Sequence, residues 1–340
     1  MDISIIVPVY NEENLIARCI ESFIEQIETD LAYELILVDD GSTDASFQIC
    51  KKYSDMYTWI KTYHKENGGC IDSRRFGLER ASGKYIAFAD ADDYVERDYI
   101  KNIERAISHE ADYYIFNNKK TFFLHDGRYV EKDFLHEGRG TVEEAAEWVL
   151  LSRAGAVWDK LFSYEFIKRN NIYFEKNISH GDDKYINMLI LMNRPSIYIQ
   201  DTSSYVHIEN SPTSIFAHSA SPDRLDEIYA IYEVGSDLIN RLNLQCLRDQ
   251  FELYIIGEFV KNIGLMDCDH STYVKINDFF MKRKELYFLK QKKASTLKEK
   301  IFIAILKSKS YKVAHLLAKL IHSRWYYKYL DHGHLPKICL

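Results

Sequence analysis

No apolar run in this 340-residue chain approaches the roughly 18 residues that a membrane-spanning helix needs. The N-terminus also lacks the charged-then-apolar pattern of a signal peptide, so the expectation is a cytoplasmic protein. There is no Cys-x-x-Cys pair. The six cysteines (Cys19, Cys50, Cys70, Cys246, Cys268 and Cys339) lie far apart, which argues against a zinc site or a disulfide framework and suits free thiols. Neither Gly-x-Gly-x-x-Gly nor a Walker loop follows the first strand-like run. A phosphate-bearing ligand would therefore be held by a metal and basic side chains, without a glycine cradle. No internal repeat or low-complexity linker interrupts the chain. What remains is ordinary globular material, 46% hydrophobic and 28% charged, in a length that allows one large domain or two smaller ones.

The net charge of −7 hides an asymmetry. From residue 281 onward there are 15 Lys/Arg against 3 Asp/Glu, a charge of +12, which leaves −19 for the first 280 residues. An acidic body argues against nucleic acid as its ligand. The basic tail is suited to docking on an anionic surface.

Residues 3–9 form a β-branched run with Pro8 near its end, which reads as a strand. Asn11 then takes the place of a helix N-cap, with Glu12 and Glu13 in the first turn and Leu15, Ile16, Cys19, Ile20, Phe23, Ile24 and Ile27 at helical spacing. Strands at 35–38, 59–63, 85–89 and 113–117 alternate with helices ending near 53 and spanning about 72–81 and 98–109. This alternation predicts a mainly parallel, right-handed, doubly wound α/β sheet flanked by helices. In such a sheet the loops after residues 9, 38, 63 and 89 emerge at one edge, where ligands bind. They carry Pro8-Val9-Tyr10-Asn11, Asp39-Asp40-Gly41-Ser42-Thr43-Asp44, Asn67-Gly68-Gly69 and Asp90-Ala91-Asp92-Asp93.

The last of these is the stretch around which the others are arranged. Three carboxylates within four residues repel one another unless positive charge lies between them. A divalent cation held by oxygen ligands is the usual remedy, and Arg74 and Arg75 could add charge. The plain alternative is an acidic turn capping the helix that begins near Asp98.

These four motifs, in this order, resemble the family 2 glycosyltransferases of the GT-A fold, over roughly residues 1–215. The resemblance implies an inverting transfer from a nucleotide-sugar, usually UDP-linked, with Mn²⁺ or Mg²⁺. Carried onto this chain, it places Pro8, Tyr10 and Asn11 beside the base, Asp40 at the uracil edge and Arg74 near the nucleotide. Asp90 falls near the ribose and metal, and Asp92 becomes the direct metal ligand. Asp72 and Phe76 depart from the commonest neighbours of that arginine. Trp158-Asp159-Lys160-Leu161-Phe162 resembles the family's acceptor-site stretch, with Asp159 in place of Asn. His180-Gly181-Asp182-Asp183 matches the family's Glu-Asp pair, which implies Asp183 as catalytic base and Asp182 as a shorter positioning arm. A helix N-cap is the structural alternative for both. His207 lies in a stretch that resembles the loop closing over the diphosphate; with Asp93, Trp158, Lys160 and Asp182 it is a candidate for acceptor or diphosphate contact.

Beyond Pro222 the pattern becomes helical, at 225–242 and 246–265, so a GT-A domain over 1–215 is expected to be followed by a helical region over 216–340. Its basic clusters beside apolar stretches and Trp325, Tyr326, Tyr327 and Tyr329 suit a helix on an anionic membrane, peripheral at the inner face. Analogy with the family's usual setting implies a lipid-linked glycan acceptor in bacterial surface-polysaccharide synthesis. A sugar-phosphate nucleotidyltransferase is the less favoured alternative, because its glycine-rich, Arg-bearing loop is missing. A non-catalytic partner would be favoured by loss of the carboxylates, which are present.

Overall fold

The computed structural model describes residues 1–116, 119–123, 128–132, 137–151, 155–174, 178, 181–202, 204–209, 221–265, 274–276, 279 and 282. Two compact units divide the chain, Met1–Ala217 with Asp237–Leu244, and His218–Ser236 with Gln245–Leu340.

The first unit begins with β1 (Ile3–Val9), α1 (Ile16–Ile24), β2 (Tyr33–Asp39), α2 (Ser46–Met56), β3 (Ile60–His64), α3 (Cys70–Leu78) and β4 (Tyr85–Phe88). After β4 come β5 (Tyr94–Val95), α4 (Tyr99–Ile107), β6 (Tyr113–Phe116), β7 (Lys119–Phe123), β8 (Arg128–Lys132) and β9 (Gly138–Gly140). The remaining elements are α5 (Val142–Leu150), β10 (Lys160–Ser163), α6 (Tyr164–Arg169), α7 (Asp182–Leu191), β11 (Ile197–Gln200) and β12 (Tyr205–Glu209). The main sheet has eight strands in the order β3-β2-β1-β4-β10-β6-β11-β9. Strand β1 lies between β2 and β4, parallel to both, with Ile3 opposite Tyr33 and Tyr85. It is covered on both faces, which is why Ile3, Ile5, Ile6, Val7 and Val9 are all buried and its sequence does not alternate. Helix α1 packs through Ile16, Cys19, Ile20 and Phe23, spaced to lie on one face.

The chain winds from β1 through β2 to β3, then returns to the other side of β1 as β4. The switch point is therefore the crevice at the carboxyl ends of β1 and β4, where open α/β sheets take ligands. Two strands depart from the expected parallel pattern. Strand β10 runs antiparallel between β4 and β6, and β9 runs antiparallel to β11 at the edge. The reason is local to the path: the Phe116 N–H, at the end of β6, donates to the Asp159 carbonyl at 2.9 Å. The chain thus re-enters the sheet at the edge it left, and β10 can only run back down. That puts Trp158 and Asp159 on the ligand edge.

A second correction concerns Asn11, which is not an N-cap. It stands at φ +54, and its Oδ1 accepts from the Thr43 N–H at 2.8 Å. The helix starts later, at Ile16, and the intervening residues stitch the loop after β1 to the loop after β2. The Glu12 N–H donates to Ser46 Oγ at 2.7 Å, and the Ala45 N–H donates to Glu13 Oε2 at 2.9 Å. A small sheet, β5-β12-β7-β8, lies beyond the main one, with Tyr205 paired to Val95.

In the second unit, most of α8 (Arg224–Arg241) and α9 (Arg248–Leu265) carry the helical pattern. Gly235 allows their approach, since a Cβ there would fall 2.6 Å from Cε1 of Phe251. No described helix is long and apolar enough to cross a membrane. The basic stretch from residue 283 onward lies outside the described residues.

Candidate active site

Arg74, on α3, is the centre of the site and is only 2% exposed. Its Nη1 donates to Asp182 and, at 2.6 Å, to Asp183 Oδ1, while Nη2 donates to Asp90 Oδ1 at 2.9 Å. One guanidinium thus joins the end of β4 to the start of α7, across 108 and 109 residues between Asp182 or Asp183 and Arg74. Gly181, at φ +77, turns the chain into α7 and offers no side-chain cap. Asp183 also accepts from the Val157 N–H at 3.4 Å, just before β10. Burial pushes the Asp183 carboxyl up to about 7; Arg74 opposes this, and Asp182 and Asp90 reinforce it. Asp182 is raised as well, by burial first and then by Asp90, against Arg74.

The acidic loop after β4 is bolted to β12. The Tyr205 hydroxyl donates to Asp93 Oδ2 at 2.8 Å and accepts from the Asp90 N–H at 2.9 Å. Asp93 Oδ1 accepts from the Ile208 N–H at 2.7 Å, and Nδ1 of His207 meets Oδ2 at 3.2 Å. Asp93 is fully buried, so the structure turns this candidate for diphosphate contact into the anchor of its own loop. Asp92 faces a different balance. Burial, then Asp93 and Asp90, push its carboxyl up to about 8, with His207 opposing. The Asp92 carbonyl is held by Arg18 Nη2 at 2.8 Å, and Arg18 lies 5.1 Å from the Tyr94 ring centroid.

Trp158 is 4% exposed and stacks on Tyr205 at 4.8 Å and on His207 at 5.5 Å between centroids. The Lys160 side chain is wholly buried, pairs with Asp159 and donates to the Ala156 carbonyl at 3.2 Å. Its geometry is therefore that of an internal ion pair. Beyond the carboxyl end of β2, Asp40 is 3% exposed and anchors the glycine loop. It accepts from the N–H groups of Gly68 at 2.9 Å and Gly69 at 2.8 Å, and pairs with Lys65. Lys65 also reaches Asp72 at 2.9 Å. Gly41, at φ +75, completes this packing, because a Cβ there would meet the Asn67 nitrogen at 3.0 Å. Tyr10 is 47% exposed, while Pro8 is half-buried opposite Val38.

Sequence reasoning missed Tyr205, Arg18 and Lys65. Tyr205 left a signal, because residues two apart in a strand share a face and His207 had been singled out. Arg18 left none, since a lone basic residue on a helix usually reads as a solvated side chain. Among the described residues no three His, Cys, Asp or Glu side chains gather into a metal cage.

The sheet order, the switch-point crevice and the carboxylates around Arg74 define a GT-A-type α/β domain. Residues 4–151 match the family model described as glycosyl transferase family 2. Glycosyltransferase GlyA of Streptococcus pneumoniae is 27% identical over 98% of this chain and 48% of its own length. The poly(ribitol-phosphate) beta-N-acetylglucosaminyltransferase TarS of Staphylococcus aureus is 24% identical over 84% of this chain and 47% of its own. The chain thus spans about half the length of these two curated relatives. The crystal structure of S. aureus TarS 1-349 in complex with UDP-GlcNAc superimposes with a TM-score of 0.59 at 21% identity, covering 92% of this chain and 81% of that one. That likeness bears on the fold.

Proposed function

We propose that this chain is an inverting glycosyltransferase. It would move a hexose or N-acetylhexosamine from a UDP-sugar to a hydroxyl of a glycan acceptor, lipid-linked, in bacterial surface-polysaccharide synthesis. The observation that carries the reading is that one guanidinium holds Asp90, from the donor-side loop, and Asp183, the candidate base. The substrate class is supported by TarS, an N-acetylglucosaminyltransferase whose crystal structure holds UDP-GlcNAc. In the reaction the acceptor oxygen attacks the anomeric carbon from the face opposite the nucleotide. A C–O bond forms there, the bond to the diphosphate breaks, UDP leaves, and the hydroxyl proton passes to Asp183. Inversion follows from the single displacement.

Asp92 and Asp90 would hold Mn²⁺ or Mg²⁺, which would offset charge on the departing diphosphate. The residues fit such an ion: they are oxygen donors, and burial with the neighbouring Asp93 and Asp90 pushes the Asp92 carboxyl up, a crowding that a cation would offset. Mg²⁺ is commonly held by one or two carboxylates together with substrate phosphates, so a full protein cage is not required.

The test is Asp183→Asn, with UDP release from UDP-sugars and calorimetric UDP binding as readouts. The amide still accepts from Arg74 but takes no proton. Binding should stay within a few-fold of wild type while turnover falls by about 10²–10⁴. Turnover close to wild type would defeat the base assignment. The tail is proposed to dock on anionic membrane, supported by its charge of +12 from residue 281. Full-length protein should sediment with phosphatidylserine vesicles at low salt and be released by 0.5 M salt; no sedimentation would defeat it.

A further inference from the structure

An arginine that binds a diphosphate usually presents its planar fork to an open cleft. Arg74 does not. At 2% exposure, with Nη1 on Asp182 and Asp183 and Nη2 on Asp90, both ends of the fork are closed by the protein's own carboxylates. Nε meets no acceptor, and the guanidinium carbon lies 5.9 Å from the centroid of the Phe88 ring. We propose that Arg74 is the positioning residue of the base rather than a ligand of the nucleotide: it fixes the Asp183 carboxylate and, through Asp90, ties the acceptor side of the site to the donor side. This rests on the reading of Asp183 as base.

The groups facing Asp183 make the role measurable. From α3 come Arg74 and the Cys70 thiol, from beyond β4 comes Asp90, from its own helix comes Asp182, and from before β10 comes the Val157 N–H. Lys184, next in α7, donates to the Leu150 carbonyl at 3.4 Å. Arg74 is the cation that opposes the effect of burial on Asp183, while Asp182 and Asp90 add to it. Removing the guanidinium charge must therefore make Asp183 harder to ionise, and removing the Asp182 charge must make it easier. A bridge that served only stability would move the Asp183 midpoint in the same directions but leave the acidic limb of kcat where it lies in the wild type.

Three variants test this, Arg74→Gln, Arg74→Lys and Asp182→Asn, each with aspartate labelled at the side-chain carboxyl carbon. The Asp183 resonance is identified by its loss in Asp183→Asn and followed by NMR from pH 4 to 10. An adjacent opposite charge lowers a carboxylate pKa by about 1–3. Arg74→Gln should accordingly move the Asp183 midpoint up by at least about one pH unit, Asp182→Asn should move it down, and Arg74→Lys should fall between wild type and Arg74→Gln. The acidic limb of kcat for UDP release from UDP-N-acetylglucosamine should follow in each variant. An unmoved Asp183 midpoint in both Arg74→Gln and Asp182→Asn overturns the proposal. So does an Arg74→Gln enzyme that loses UDP affinity tenfold while its acidic limb stays put, since Arg74 is then a donor ligand. If Arg74→Gln does not fold, Arg74→Lys and Asp182→Asn decide. Resonance shifts as expected in a protein that releases no UDP from any UDP-sugar would defeat the glycosyltransferase reading and leave the coupling intact.

Discussion

Removing one oxygen atom, by Tyr205→Phe, is the most direct perturbation of the loop that carries Asp90 and Asp92. The ring stays, so the stack on Trp158 at 4.8 Å is kept. The loss includes the two bonds of the hydroxyl, to Asp93 Oδ2 at 2.8 Å and from the Asp90 N–H at 2.9 Å. Each bond is worth about 1 kcal/mol net, and a buried partner left unpaired costs about 1–3 kcal/mol more. Tyr205 is 1% exposed, so water does not replace the oxygen easily. Asp93 keeps the Ile208 N–H and His207, which limits the penalty on its side. The expected destabilisation is about 2–4 kcal/mol, a large share of the about 5–15 kcal/mol that holds a domain folded. Urea unfolding followed by far-ultraviolet circular dichroism measures it as a lower midpoint at unchanged slope. A difference below about 0.5 kcal/mol would show that the hydroxyl does not bolt the loop to β12, and the account of Asp93 would go with it.

Asp92→Asn should raise the melting temperature at pH 8 in the absence of divalent cations. The folded carboxyl stands at about 8 against an ordinary 3.8, so the fold binds its proton more tightly and loses stability as pH rises between those values. The gain should vanish near pH 4, and the variant should no longer respond to Mn²⁺ in UDP binding; equal melting temperatures at pH 8 would refute the crowding. Asp183, at about 7, must be ionised to accept a proton, so wild-type kcat should fall as pH drops below 7; a rate flat from pH 5 to 8 would exclude it as base. Gly83→Ala should cost about 1–3 kcal/mol or more in thermal unfolding, because its Cβ would meet backbone, with Ile3 C at 2.6 Å; a neutral outcome would contradict the packing of this turn on β1.

Much of the site's scaffold was legible before the fold was seen. Buried parallel strands are covered on both faces, so β1, β2 and β4 appear as short apolar runs, and the carboxylates that follow them must emerge at the ligand edge. Asp182 and Asp183 at the start of α7 were equally readable, because a helix start has local signals. Local signals also misled: Asn11 has the residue type of a cap but is held at φ +54 by the next loop. The direction of β10 depended on where the chain re-entered the sheet, which no periodicity encodes.

The amino-acid order alone thus determined the strand–helix alternation, the edge that carries the acidic loops and the residue types available there. Only the tertiary structure decided which of those side chains face each other. Asp93, Asp40 and Lys160 proved to be anchors inside the protein, and Arg74 proved to bind carboxylates 16, 108 and 109 positions away. The reason is physical: a buried charge must find its partner in space, and contacts between segments so far apart in sequence are set by how whole layers pack.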